Sequence, residues 1–94
     1  MTERKLVKAR TVRALDGHRL EIAFTDDTAG VVDLSDFVSW GEITEPLRDP
    51  AYFAQVFVDM GEPTWPNGCN IDAVNAHEEL KAAGALRPAM AAVE

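Results

Sequence analysis

Three side chains have the chemistry of a reactive site: the thiol of Cys69, the imidazole of His77 and the carboxylate of Asp59. A nucleophile works when a base lies within hydrogen-bonding reach and a third group orients that base. Cys69 stands just ahead of a helix start at Asp72, and the N-terminal end of a helix lowers a thiol's pKa. A small acid/base enzyme built on Asp59, the turn Cys69-Asn70-Ile71-Asp72 and His77 is therefore one candidate. The spacing argues against it. His77 falls more than one turn into the predicted helix, and a cysteine after Asn67-Gly68 is more often a small residue in a tight turn. The expectation is a non-enzymatic protein with no catalytic residue.

Ligand chemistry is equally sparse. Zinc needs three or four His, Cys or carboxylate ligands, and His18, Cys69 and His77 are the soft donors, each in a separate predicted element. Asp26-Asp27 and Asp33 with Asp36 lack the spacing of a calcium loop around a glycine. No glycine-rich loop joins a strand to a helix start, and an acidic cap at Asp72 repels phosphate. Neither a metal nor a cofactor is expected.

Charge divides the chain. Its 94 residues carry a net charge of −7. The first nineteen residues hold Arg4, Lys5, Lys8, Arg10, Arg13 and Arg19 against Glu3 and Asp16, a basic segment on an acidic body. Lys8, Arg10 and Arg13 on the first strand form a candidate basic patch for a nucleic-acid-associated regulator. The acidic remainder repels a phosphate backbone and disfavours direct nucleic-acid binding. Attraction between the basic strand and the acidic body is the simpler expectation. A lone cysteine and the lack of an apolar leader or a membrane-length apolar run fit a cytoplasmic protein with no membrane partner.

These groups sit on elements readable from pattern. Residues near 5–14 read as an irregular strand with a bulge or edge position, and Asp16-Gly17 as a turn. Leu20, Ile22 and Phe24 alternate with Glu21, Ala23 and Thr25, the signature of a half-buried strand. Ala29–Leu34 completes an antiparallel meander. Ser35 is a candidate cap for a turn carrying Phe37 and Val38, Thr44–Leu47 reads as another turn, and Asp49-Pro50 starts a short helix. Val56, Val58 and Met60 mark a fourth strand, Gly61-Glu62-Pro63 a turn, and Thr64-Trp65 a short fifth strand. Asp72 caps a longer helix that stops at Gly84, with an incomplete capping box because Asn75 stands where Glu or Gln would reach back. The fold expected is α+β: a small antiparallel sheet of about four to five strands, short helical turns, and one longer C-terminal helix packed on it. Residues 1–84 form one domain, and residues 85–94 a loosely ordered Ala-rich tail.

Aromatic and amide side chains supply the candidate contact surface. Most aromatics are expected to pack the sheet against the helices, with Trp65 closing the core; Trp40 beside Gly41, Phe57 out of phase with Val56 and Val58, and the turn residues Trp65, Asn67 and Asn70 are the positions considered for contact.

The segments Leu20-Glu21-Ile22-Ala23-Phe24, Val31-Val32-Asp33-Leu34, Leu47-Arg48-Asp49-Pro50, Val56-Phe57-Val58-Asp59 and Trp65-Pro66-Asn67-Gly68 occur in an order that resembles the small bacterial domain-of-unknown-function family numbered 2442. The resemblance spans roughly residues 7–80. It implies a small α+β domain and an antitoxin-like or regulatory role beside a toxin-like protein encoded nearby. Asn70 stands where the family usually has Asp, and His77 where an aromatic is common. The function expected is a protein-interaction module, with a homodimer through an exposed strand edge as a further expectation.

Overall fold

Alternation in the second strand organises the core. The computed structural model describes residues 7–89, and within them β1 (Ala9–Leu15), β2 (Arg19–Phe24) and β3 (Thr28–Asp33) form the expected antiparallel meander. Leu20, Ile22 and Phe24 of β2 are fully buried, while Glu21 and Ala23 lie on the outer face. The register between β1 and β2 slips at Arg10, the bulge that the imperfect alternation of β1 anticipated.

The chain then leaves the sheet for a helical connection. A 3-10 turn covers Phe37–Ser39 and a second covers Glu45–Arg48. Ser35 does not cap the first: its N–H goes to Asp33 Oδ1 at 2.9 Å, and Asp36 stands at the cap with no side-chain bond. Helix α1 (Pro50–Phe53) follows, with the Asp49 side chain accepting from the Ala51 N–H as its sequence suggests.

Strands β4 (Phe57–Asp59) and β5 (Glu62–Thr64) form a separate two-stranded ribbon instead of extending the main sheet. Its turn is Met60-Gly61, with φ of 53° and 81°, earlier than the expected Gly61-Glu62-Pro63. Positive φ at both central residues is the two-residue hairpin geometry that matches strand twist. The ribbon covers part of the β1 edge, where the Ala9 N–H donates to the Gly61 carbonyl at 2.8 Å.

Helix α2 (Ala73–Ala82) is capped by Asp72, whose Oδ1 accepts from the Val74 N–H at 3.0 Å. The incomplete capping box is not restored, but a distant acceptor meets a different free donor of the first turn: Glu62 Oε1 in β5 accepts from the Ala73 N–H. At the other end Gly84 takes φ 69°, Gly84 N–H bonds to Lys81 and Ala85 N–H to Leu80, closing a Schellman motif. That motif turns the chain back to the sheet, so Arg87–Pro88 form β6 against Thr28-Ala29 of β3. Residues 85–89, expected in a loose tail, are thus tied to the sheet, and Ala89 N–H bonds to the Asp27 carbonyl at 2.9 Å. The rest of the tail lies outside the described residues. The main sheet runs β1-β2-β3-β6.

Trp65 closes the core between sheet and helices. It is fully buried, its indole N–H donates to the Phe53 carbonyl at 2.9 Å, and its ring lies 5.5 Å from that of Phe53. Burying such a ring stabilises the fold by about 4–6 kcal/mol at ~25 cal/mol per Å². Among the described residues no helix is long and apolar enough to cross a membrane.

Candidate functional site

A groove of about 660 Å³ opens between β3, the 37–40 turn and α2. Its α2 wall is built from Asp72, Asn75, Ala76, Glu79 and Leu80, positions at i, i+3, i+4, i+7 and i+8 that share one side of the helix. Val32, Leu34, Phe37 and Ile71 give it an apolar floor, and Trp40 stands at the lip, 75% exposed.

The position of Trp40 follows from a knot of hydrogen bonds beneath it. Thr44, nearly fully buried, shares its hydroxyl proton between the Val38 and Gly41 carbonyls at 3.2 and 3.1 Å and accepts from the Gly41 N–H at 3.2 Å. Arg48 Nε donates to the same Val38 carbonyl at 2.9 Å. The Trp40 N–H bonds to Phe37, and its ring meets that of Phe37 edge-on at 5.4 Å. An irregular segment is thereby fixed tightly enough to hold a tryptophan in water.

The rim is acidic. Asp33, Asp36, Asp72 and Glu79 all line the groove, and among the described residues none of the four is in an ion pair. The backbone and side chain of Ser35 hold the Asp33 carboxyl below its ordinary range, with Arg19 and His18 adding to the effect, so it is charged at neutral pH.

The basic strand behaves oppositely. Lys8 pairs with Glu62 at 3.6 Å, Arg10 with Asp27 at 3.1 Å, and Arg13 with Glu21 at 2.8 Å; Arg87 closes on the other oxygen of Glu21. The three candidate patch residues are each joined to an acid of the body, the intramolecular attraction expected from the charge division.

The candidate contact residues separate. Trp40 and Asn70 come together in the groove. Trp65 is fully buried and presents no contact surface, because the Phe53 carbonyl satisfies its polar edge inside the core. Phe57 is 44% exposed on the ribbon and does not line the groove. Asn67 is engaged in its own turn, accepting from the Cys69 N–H at 3.0 Å and donating to the Ile43 carbonyl at 2.9 Å.

The candidate reactive groups have other partners. Cys69 belongs to the core cluster, and burial pushes its thiol up, away from the thiolate a nucleophile needs. His77 is buried edge-on against Phe24 and bonds through Nε2 to Asp26 Oδ2 at 2.9 Å. Asp72 caps α2, and Asp59 lies exposed on β4. Among the described residues no three His, Cys, Asp or Glu side chains are grouped to hold a metal ion.

Asp33, Asp36, Glu79 and the apolar floor are the site residues that sequence reasoning missed. The available signal was the polar stripe Asp72, Asn75 and Glu79 at helical spacing beside the apolar stripe Ala76 and Leu80.

No family model matches the chain, and neither does any curated protein. Among solved structures, the crystal structure of "Putative DNA Binding Protein NE0471" from Nitrosomonas europaea ATCC 19718 is similar. It aligns over 88% of this chain with a TM-score of 0.69 and 27% sequence identity, and this chain covers 56% of that one.

Proposed function

We propose that this chain is a non-enzymatic protein-interaction module whose contact surface is the groove between β3, the 37–40 turn and α2. The observation that carries this reading is Trp40, 75% exposed at the lip of an apolar groove rimmed by four carboxylates with no ion pair among the described residues. Exposed tryptophans beside a hydrophobic pocket are typical anchors of protein interfaces. The resemblance to family 2442 supports a partner encoded nearby and an antitoxin-like or regulatory role. An acidic surface of this kind can cover a basic surface on such a toxin-like partner. Co-expression with the neighbouring gene product tests the reading: a complex should co-purify at micromolar concentration, and no complex at that concentration contradicts it.

A second reading, a nucleic-acid-associated regulator, draws on the name of the Nitrosomonas protein. It uses Lys8, Arg10 and Arg13. Their pairing with Glu62, Asp27 and Glu21 weighs against it, since phosphates must displace those carboxylates. Titration of a labelled DNA duplex at low salt decides: this reading requires binding that weakens steeply with salt, by a log–log slope of about −0.9 per phosphate contact.

A further inference from the structure

Four consecutive residues, Val31 to Leu34, line the groove. Successive side chains of a strand point to opposite faces, so a groove on one face touches every second residue. This groove therefore runs along the edge of β3. The hydrogen-bonding pattern gives that edge its character. Leu34 N–H bonds to the His18 carbonyl toward β2, whereas the Asp27 carbonyl accepts from Ala89 on the opposite side. Alternation along an antiparallel strand then turns the main-chain groups of residues 29, 31 and 33, like the Asp27 carbonyl, away from β2. Strand β6 pairs with β3 only at Thr28 and Ala29, because at Ala85 the chain is already in the turn that ends α2. Among the described residues Val31 and Asp33 gain no backbone partner on that side.

We propose that the groove binds an extended, basic segment of a partner protein, which adds as a strand to the free edge of β3 at Val31 and Asp33. The proposal rests on the interaction reading above and specifies its partner. An unpaired strand edge facing a cleft walled by a helix is the setting in which peptides bind by strand addition: main-chain bonds supply affinity and alternate side chains enter pockets. Residues Val31–Leu34 offer about 13 Å of edge at ~3.3 Å per residue, enough for four residues of a bound strand. The apolar floor takes the side chains that point inward. Asp33 and Asp36 on one rim, with Asp72 and Glu79 on the other, select lysine or arginine at the flanking positions.

The test uses the full chain and three eight-residue probes: alternating Val and Lys, alternating Val and Glu, and the Val/Lys peptide methylated on alternate backbone nitrogens. Binding is followed by Trp40 fluorescence and by amide hydrogen exchange. The expected result is saturable binding of the Val/Lys peptide, slower exchange at Val31 and Asp33, and binding of the other two probes weaker by about tenfold or more. Binding without protection of Val31 and Asp33, equal binding of Val/Glu, or no binding at millimolar peptide overturns the proposal. A free chain that is already dimeric with those amides protected overturns it too, in favour of a second copy on the edge. If these arms fail while a complex with the neighbouring gene product still forms and is lost in Trp40→Ala, strand addition falls and the interaction reading stands.

Discussion

The Thr44 hydroxyl lies 3.2 Å from the Val38 carbonyl, and this buried contact places Trp40 at the lip of the groove. Two further bonds join it, from Gly41 to Thr44 and from Arg48 to Val38, so one threonine anchors a segment with no regular structure of its own. Thr44→Val keeps the volume and removes the hydroxyl, leaving the Gly41 N–H without its acceptor. Unfolding in urea should show a loss of about 1–3 kcal/mol, together with a shift in Trp40 emission. An unchanged midpoint and spectrum would show that other contacts hold the loop.

Gly30 is set by close approach of helix to sheet. A Cβ there would stand 2.8 Å from Leu80 Cδ1 and 3.2 Å from the Ala85 carbonyl. Gly30→Ala should therefore destabilise by about 1–3 kcal/mol in chemical denaturation. Leu80→Ala removes the nearest atoms, so the double variant should be more stable than the sum of the two single losses predicts. Simple additivity would contradict the contact.

Much of the secondary structure was legible because its causes are local. Leu20, Ile22 and Phe24 announce β2 by their period, and Asp49 and Asp72 announce helix starts by the N–H groups they accept. What was not legible depends on residues distant in the chain. Strand β6 is two residues long and exists only because Thr28 and Ala29 pair with it. A free donor in the first turn of α2 is met by Glu62, eleven residues upstream of Ala73. Trp65 reads from the sequence as closing the core and also as a possible contact residue; what decides for the core is the Phe53 carbonyl that meets its indole N–H, twelve residues away in the chain. The groove itself joins Asp33 and Asp36 to Asp72 and Glu79 across the whole middle of the chain, a juxtaposition that no local pattern contains.

Stability should fall in acid. Hydrogen bonds from Arg13 and Arg87, opposed by partial burial, hold Glu21 below its ordinary value of 4.5. Burial raises the Asp26 carboxyl, but bonds from Thr28 and His77 outweigh it and leave the group below its ordinary 3.8. Carboxylates depressed in the folded state contribute stability that is complete above their unfolded pKa and is lost as pH falls through the folded one. Urea midpoints should stay flat, as far as these two groups are concerned, above about pH 5.5 and drop below about pH 4. Asp26→Asn should reduce that drop. An undiminished drop in both Asp26→Asn and Glu21→Gln would assign acid sensitivity to other groups.

Cys69 should react slowly. Its thiol is buried and raised by that burial, so a disulfide reagent at neutral pH should label the native chain far more slowly than the urea-unfolded chain. Rapid labelling of the native chain would mark Cys69 as accessible and activated, and would favour the enzyme candidate with His77 and Asp59.

Partner binding in the groove is read from the affinity of the neighbouring gene product for the wild-type chain and for Trp40→Ala. Trp40 is exposed and outside the buried core, so the variant should fold normally. The expected result is a complex of micromolar affinity or better that weakens by about thirtyfold or more in Trp40→Ala, the size of an interface anchor. A complex of equal strength in both chains would contradict it, as would the absence of a complex.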